Sequence, residues 1–180
     1  MKQRIVANWK ANVSADHAEE WVRTLRSYCH FREDRETILA VPFLYLERIF
    51  SRVSTLPGIT LAAQGISPYP PGNYTGATPA SWLRDLVDYI LVGHRERRKY
   101  FHETAQDAAA QVRECVAVGI RPILCLDDDS LSGMRAALDS EELAEVICAY
   151  TPDSAVALET ALDIKDIQAG IARVSGYFPH

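Results

Sequence analysis

No stretch of this 180-residue chain approaches the roughly 18 uninterrupted apolar residues that a membrane span requires. The N-terminus runs straight into a strand-like segment without a long apolar signal region, so the protein is expected to be unexported and cytoplasmic. Paired cysteines are missing as well. Cys29, Cys115, Cys125 and Cys148 show no metal-ligand or redox spacing, and two of them, Cys125 and Cys148, lie inside apolar runs as small buried hydrophobes do. Basic charge is in deficit: 19 Lys and Arg against 24 Asp and Glu give a net charge of −5 and a pI near 5.5. Such a surface repels nucleic acid and anionic membrane, and neither is an expected partner. There is no low-complexity tract, and the one Pro/Gly-rich connection, Ser67 to Gly76, reads as a loop within a single domain spanning 1–180. A glycine fingerprint after the first strand is also absent, which argues against a dinucleotide site on an open doubly wound sheet.

What the chain does contain is a regular alternation. Apolar runs recur at Ile5–Ala7, Thr37–Val41, Ile59–Ala63, Tyr89–Val92, Pro122–Leu126 and Val146–Tyr150. Each is short and continuously apolar, the pattern of a parallel strand covered on both faces. Segments of helical spacing lie between most of them. Trp21, Leu25 and Tyr28 follow Ser14 as an N-cap; Ala108, Ala109, Val112 and Val116 precede Gly119; and a helix is expected around Trp82. Ile164, Ile167, Ile171 and Val174 follow Asp163 as a cap, with Gly176 and Pro179 ending that helix. The expectation is an α/β fold of six βα units, with a parallel sheet inside and helices outside.

Two stretches carry chemistry: Ala7-Asn8-Trp9-Lys10 after the first strand, and Val92-Gly93-His94-Arg95-Glu96-Arg97-Arg98 after the fourth. They place an Asn, a Lys and a His where parallel strands end and active sites collect. Taken alone, Lys10 also reads as a solvated lysine, His94 as a structural residue, and Arg97 to Lys99 as an exposed basic turn partly neutralised by Glu96.

Ala-Asn-Trp-Lys-Ala-Asn at the first strand and Val-Gly-His-Arg-Glu-Arg-Arg at the fourth resemble the signatures of the triosephosphate isomerase family. Ala62-Ala63-Gln64 with Gly72-Asn73-Tyr74-Thr75-Gly76 resembles its third strand and subunit-contact loop. Tyr100-Phe101-His102-Glu103-Thr104, Arg121-Pro122-Ile123-Leu124-Cys125 and Ala149-Tyr150-Thr151-Pro152 resemble later segments in the same order. The resemblance implies a TIM (β/α)8 barrel that interconverts glyceraldehyde 3-phosphate and dihydroxyacetone phosphate in glycolysis and gluconeogenesis, using no cofactor and no metal. In the family's scheme a Glu is the base, a neutral His polarises the carbonyl and a loop closes over the substrate. Carried onto this chain, His94 is the electrophile, Lys10 places positive charge beside the developing oxyanion, and Asn8 orients the substrate oxygens. Glu96 holds Lys10 or a group of the neighbouring subunit, and Thr75 reaches toward a partner's site in a homodimer.

The chain departs from the family pattern at the strand-six motif. Where the family reads Ala-Tyr-Glu-Pro this chain has Ala149-Tyr150-Thr151-Pro152, and a Thr hydroxyl cannot accept a carbon-bound proton near neutral pH. Losing a general base costs on the order of 10²- to 10⁴-fold. Asp153 and Glu159 are the nearest carboxylates downstream, but a shift of two residues moves a side chain by roughly 6 to 7 Å. The segment Asp153 to Glu159 also lacks the glycines of the family's closing loop. Asp127-Asp128-Asp129 stands where the family has Gly-Glu, and it reads either as a Mg²⁺ ligand cluster or, preferably, as a solvated loop with one capping Asp that repels a dianion. A full barrel takes about 250 residues, with phosphate-binding amides after strands seven and eight, which this sequence does not reach. Three outcomes are open: an incomplete gene, which the unguarded edges Ile5-Val6-Ala7 and Val146-Ile147-Cys148 favour, a partial barrel that pairs its edges with another copy, or a marginal fold prone to aggregate; in the form given, the expectation is a homodimer or edge-paired oligomer that binds a triose phosphate or similar small anion and isomerises it poorly. The alternative is a non-catalytic remnant that binds a small anion or a protein partner.

Overall fold

Each apolar run forms a strand because its β-branched and aliphatic residues fill both faces of a pleated layer at a two-residue period. The computed structural model describes residues 2–28, 30, 32–152 and 162–178. Its strands are β1 (Gln3–Asn8), β2 (Arg35–Val41), β3 (Ile59–Ala63), β4 (Tyr89–Val92), β5 (Arg121–Leu126) and β6 (Ile147–Tyr150). They pair in parallel, in the order β1-β2-β3-β4-β5-β6, so every connection is a crossover to the next strand.

Alternate residues divide between two cores. Leu39, Val41, Leu61, Ala63, Ile90, Val92, Leu124 and Leu126 pack with the helices. Their neighbours Ile38, Ala40, Ala62, Tyr89, Leu91, Ile123 and Cys125, joined by Ile147 and Ala149, form a second cluster made of strand residues alone. A flat sheet would leave that face wet, yet Ile38, Ala40 and Ala62 are completely buried. The strands therefore curl until their inner side chains meet one another, and the sheet is a half-barrel of the TIM type with its helices outside. At the N-terminal end of the inner face, the buried Glu36 carboxylate accepts from Arg4 Nε at 3.2 Å, Thr60 Oγ1 at 3.1 Å and Tyr89 Oη at 3.1 Å. A charged, fully bonded layer closes that end. Within the described sheet β1 and β6 each have one strand neighbour, and Ile5 and Val6 of β1 remain 45% and 42% exposed.

The helices are α1 (Ala15–Tyr28), α2 (Leu46–Val53), α3 (Arg95–Phe101), α4 (Ala105–Ala117), α5 (Leu131–Ala137), α6 (Ser140–Glu145) and α7 (Ile164–Tyr177). Helix α4 is specified at its start by a reciprocal capping box between Thr104 and Asp107, and past its end by Gly119 at φ +77°. Two expectations change. The segment around Trp82 is only a 3₁₀ turn, Ala80–Trp82; Leu83 and Val87 reach the core through consecutive turns, and Trp82 stays exposed. Helix α7 forms behind its Asp163 cap, but Gly170 and Val174 are its buried residues, while Ile164, Ile167 and Ile171 are 64%, 37% and 55% exposed. Gly170 lies against the Tyr150 ring, so close that a Cβ there would stand 2.1 Å from Tyr150 Cε1. Helix α7 runs through Gly176 to Tyr177, while Cys29, the segment from Asp153 to Glu159, and Pro179 lie outside the described residues.

Candidate functional site at the C-terminal ends of the strands

The C-terminal ends of β1, β3 and β4 bring the side chains of Asn8, Lys10, Gln64 and Glu96 together through hydrogen bonds that cross from strand to strand. Asn8 Oδ1 accepts from Lys10 N at 3.0 Å, a local turn that carries Lys10 into the left-handed region at φ +51°. Such a backbone costs energy for a lysine and needs support from its surroundings. Gln64, just past β3, supplies it: its Nε2 group donates to Asn8 Oδ1 at 3.3 Å, Lys10 O at 3.0 Å and Ala40 O at 3.0 Å. The lysine side chain then reaches across to Glu96 on α3, with Nζ 2.7 Å from Oε1.

His94 caps α3. Its Nδ1 accepts from Glu96 N at 3.3 Å, which leaves Nε2 as the N–H donor of the neutral ring. Burial lowers the pKa of this imidazole below the ordinary histidine value, and the positive charges of Lys10, Arg98 and Arg95 act in the same direction, against the Glu96 carboxylate. The site thus holds a neutral donor ring beside a fixed ammonium, the two groups needed to polarise a carbonyl and stabilise an oxyanion.

Beneath His94 a second ion pair organises the floor. Arg98 donates to the carbonyl of Gly93, to Cys125 O at 3.3 Å and to the Asp127 carboxylate. Asp127 also accepts from Ser130 N at 3.0 Å, so it is both capped and paired. Gly93 adopts φ +64°, and a Cβ there would meet Met134 Cε at 3.0 Å; only glycine turns the chain from β4 into the His94 cap in that space. Asp128 points elsewhere: it accepts from Tyr150 Oη at 2.9 Å and pairs with Arg173 of α7 at 2.7 Å. Asp127 is thus the one capping Asp of an acidic loop whose Asp128 and Asp129 are exposed, but a specific arginine pairs with each of the first two aspartates, and Asp129 alone of the three faces solvent unpaired. Arg97 and Arg98 are likewise not neutralised by Glu96. Arg97 Nε bonds Glu103 at 2.7 Å and its guanidinium lies over the Phe101 ring, while Glu96 is committed to Lys10.

Thr151 follows β6. Its N–H donates to Leu126 O at 2.7 Å and its hydroxyl to the same oxygen at 3.3 Å. Among the described residues at this end of the sheet, the Glu96, Asp127 and Asp128 carboxylates are each engaged with a cation, while Asp129 is exposed. Among the described residues no group of three or more His, Cys, Asp or Glu is placed to hold a metal ion. Thr75 sits on the exposed part of the loop that Ser67 N closes onto Thr78 O at 2.9 Å, with Tyr69 and Tyr74 stacked at 4.6 Å. It stands outside the cluster formed by Asn8, Lys10, His94 and Glu96.

Reading the sequence alone overlooked Gln64, Arg98 and Asp127 as parts of the site. For Gln64 there was a signal, a lone amide at the end of an apolar run. The other two are recognised only as a pair, and they lie 29 residues apart.

Comparison with known proteins agrees with this layout. A family model described as triosephosphate isomerase matches residues 3–179. The chain is similar to the triosephosphate isomerase of Marinobacter nauticus, 32% identical over 94% of this chain and 73% of that protein. That of Dehalococcoides mccartyi is 29% identical over 97% of the chain and 74% of its own length, and that of Aquifex aeolicus 32% identical over 71% and 52%. No helix among the described residues is long and apolar enough to cross a membrane.

Proposed function

The chain belongs to the triosephosphate isomerase family, and from that premise we propose that it binds a triose phosphate or similar small anion at the Lys10–His94 cluster but isomerises it poorly. Lys10 supplies the charge, neutral His94 the donor to the substrate carbonyl, Asn8 the orientation of the substrate oxygens, and Glu96 the fixed position of Lys10. The single observation that carries the reading is Thr151: the hydroxyl at the position of the family's base donates to a backbone carbonyl, and the nearby Glu96, Asp127 and Asp128 carboxylates are held by cations. Polarisation without a proton acceptor at that position gives recognition with little turnover. No cofactor enters this scheme.

We extend the proposal to assembly and location. Thr75, together with the exposed Phe43, Leu44, Tyr69, Tyr74, Tyr100 and Phe101, is taken to meet a second copy of the chain in a homodimer. The free Cys115, Cys125 and Cys148 thiols accord with the reducing cytoplasm.

Two measurements test the reading together. Titration with dihydroxyacetone phosphate, watched through Trp9 beside Lys10, should saturate, and Lys10→Met should abolish the saturation. Thr151→Glu should raise isomerisation at least tenfold. Absent binding refutes the recognition half; unchanged turnover in Thr151→Glu shows that the missing base is not the principal defect.

A further inference from the structure

On the outer surface, toward the C-terminal ends of α1 and α2 and so away from the Lys10–His94 cluster, the two helices enclose a groove of about 340 Å³. Val22, buried at 2% exposure, contributes to its wall, and Arg23, Arg26 and Arg52 line it with a single carboxylate, Glu19. Arg48 stands at its edge, with Nε 2.6 Å from Glu19 Oε1; Arg52 lies 3.6 Å from the same oxygen. One carboxylate therefore answers two arginines, and among the described residues no carboxylate pairs with Arg23 or Arg26. Arg26 Nη1 is instead bonded to the Arg52 carbonyl at 3.4 Å, which ties the two helices together and fixes a guanidinium at the groove. Attraction to helix C-termini accounts for Arg26 and Arg52, which lie in last turns, but not for Arg23 and Arg48. The groove lining itself carries three guanidiniums against one carboxylate, while Arg48 at its edge is drawn to both Glu19 and Asp16; in a chain of net charge −5 the lining is a local excess of positive charge whose complement is an anion.

We propose that this groove is a second, non-catalytic oxyanion site, taking a phosphate or phosphomonoester group held by the Arg23, Arg26 and Arg52 guanidiniums. Their planar forks match tetrahedral oxyanions with paired N–H donors, and they stay charged at every physiological pH.

The test is titration of the protein with inorganic phosphate at low ionic strength, following the arginine Nε–Hε resonances by NMR, with sodium chloride at matched ionic strength as the reference. Saturable shifts at Arg23, Arg26 and Arg52 are expected, and they should persist in Lys10→Met, which separates this site from the cluster at the strand ends. In the Arg23→Ala/Arg52→Ala variant the affinity read at Arg26 should fall about tenfold or more. Both side chains are exposed, so the melting curve should be retained; the milder Arg23→Gln variant provides the same comparison if it is not. Shifts that rise linearly, that chloride reproduces, or that are unchanged in these variants overturn the proposal.

Discussion

Replacing Gly170 by alanine sets two effects of opposite sign against each other. Alanine in a helix interior is favoured over glycine by about 0.5–1 kcal/mol, so the substitution alone should stabilise α7. Its methyl carbon, however, would stand 2.1, 2.5 and 2.8 Å from Tyr150 Cε1, Cδ1 and Cζ, all well inside the roughly 3.5 Å at which carbon pairs rest at best. The ring cannot yield freely, because Tyr150 Oη is bonded to Asp128 at 2.9 Å and to Arg173 at 2.8 Å. Forcing a methyl into such a contact costs about 1–3 kcal/mol, and displacing the phenol weakens hydrogen bonds at a partly exposed site by roughly another 0.5 kcal/mol. The clash wins: Gly170→Ala should destabilise the protein by about 1–2 kcal/mol, a fall of roughly 3–6 °C in Tm for a chain of this size. Thermal denaturation followed by circular dichroism reads the shift. In a Tyr150→Ala background the sign should reverse, since the ring is gone and only the helix preference remains. A higher Tm for Gly170→Ala in the otherwise unchanged protein would refute the packing described between α7 and β6.

His94 should titrate below the ordinary histidine pKa of about 6.5, observable in its ring proton shifts. Because the folded pKa is depressed, this residue's contribution to stability is fully present above pH 6.5 and lost as the pH falls toward the folded value; His94→Gln should flatten that slope, and a folded pKa above 6.5 contradicts the account. Glu36→Ala removes the acceptor shared by Arg4, Thr60 and Tyr89 and should cost about 2–3 kcal/mol in urea unfolding, whereas a loss under 0.5 kcal/mol means that the charged layer does not hold the barrel end. The Cys125 and Cys148 thiols, pushed up by burial to about 12 and about 11, should resist alkylation at pH 8 in the folded protein and react on unfolding. Rapid native modification of Cys125, mapped by mass spectrometry, would show that the inner face is open to water.

The strands could be read from the sequence because a parallel strand in a curled sheet is apolar on both faces, and runs such as Ile38 to Val41 leave no period to misjudge. Helix α7 could be located but not oriented. Ile164, Ile167 and Ile171 imitate a core stripe, while the face that docks is chosen by Gly170, whose lack of a side chain admits the Tyr150 ring. Asn8, Lys10, His94 and Glu96 were legible because each follows an apolar run or opens the helix after one. In the aspartate run the capping role of Asp127 was legible but the arginine partners were not, because charge counted locally misses that Asp127 is paired with Arg98 and Asp128 with Arg173, 45 residues away. Partners set by topology leave no local signature.

The most direct measurement is the initial rate of glyceraldehyde 3-phosphate isomerisation by the purified chain, in a coupled assay alongside the triosephosphate isomerase of Marinobacter nauticus. With Thr151 at the base position, a rate lower by at least about 10²-fold is predicted. A rate within tenfold of that enzyme would mean that another group takes the proton, and the central claim would fall.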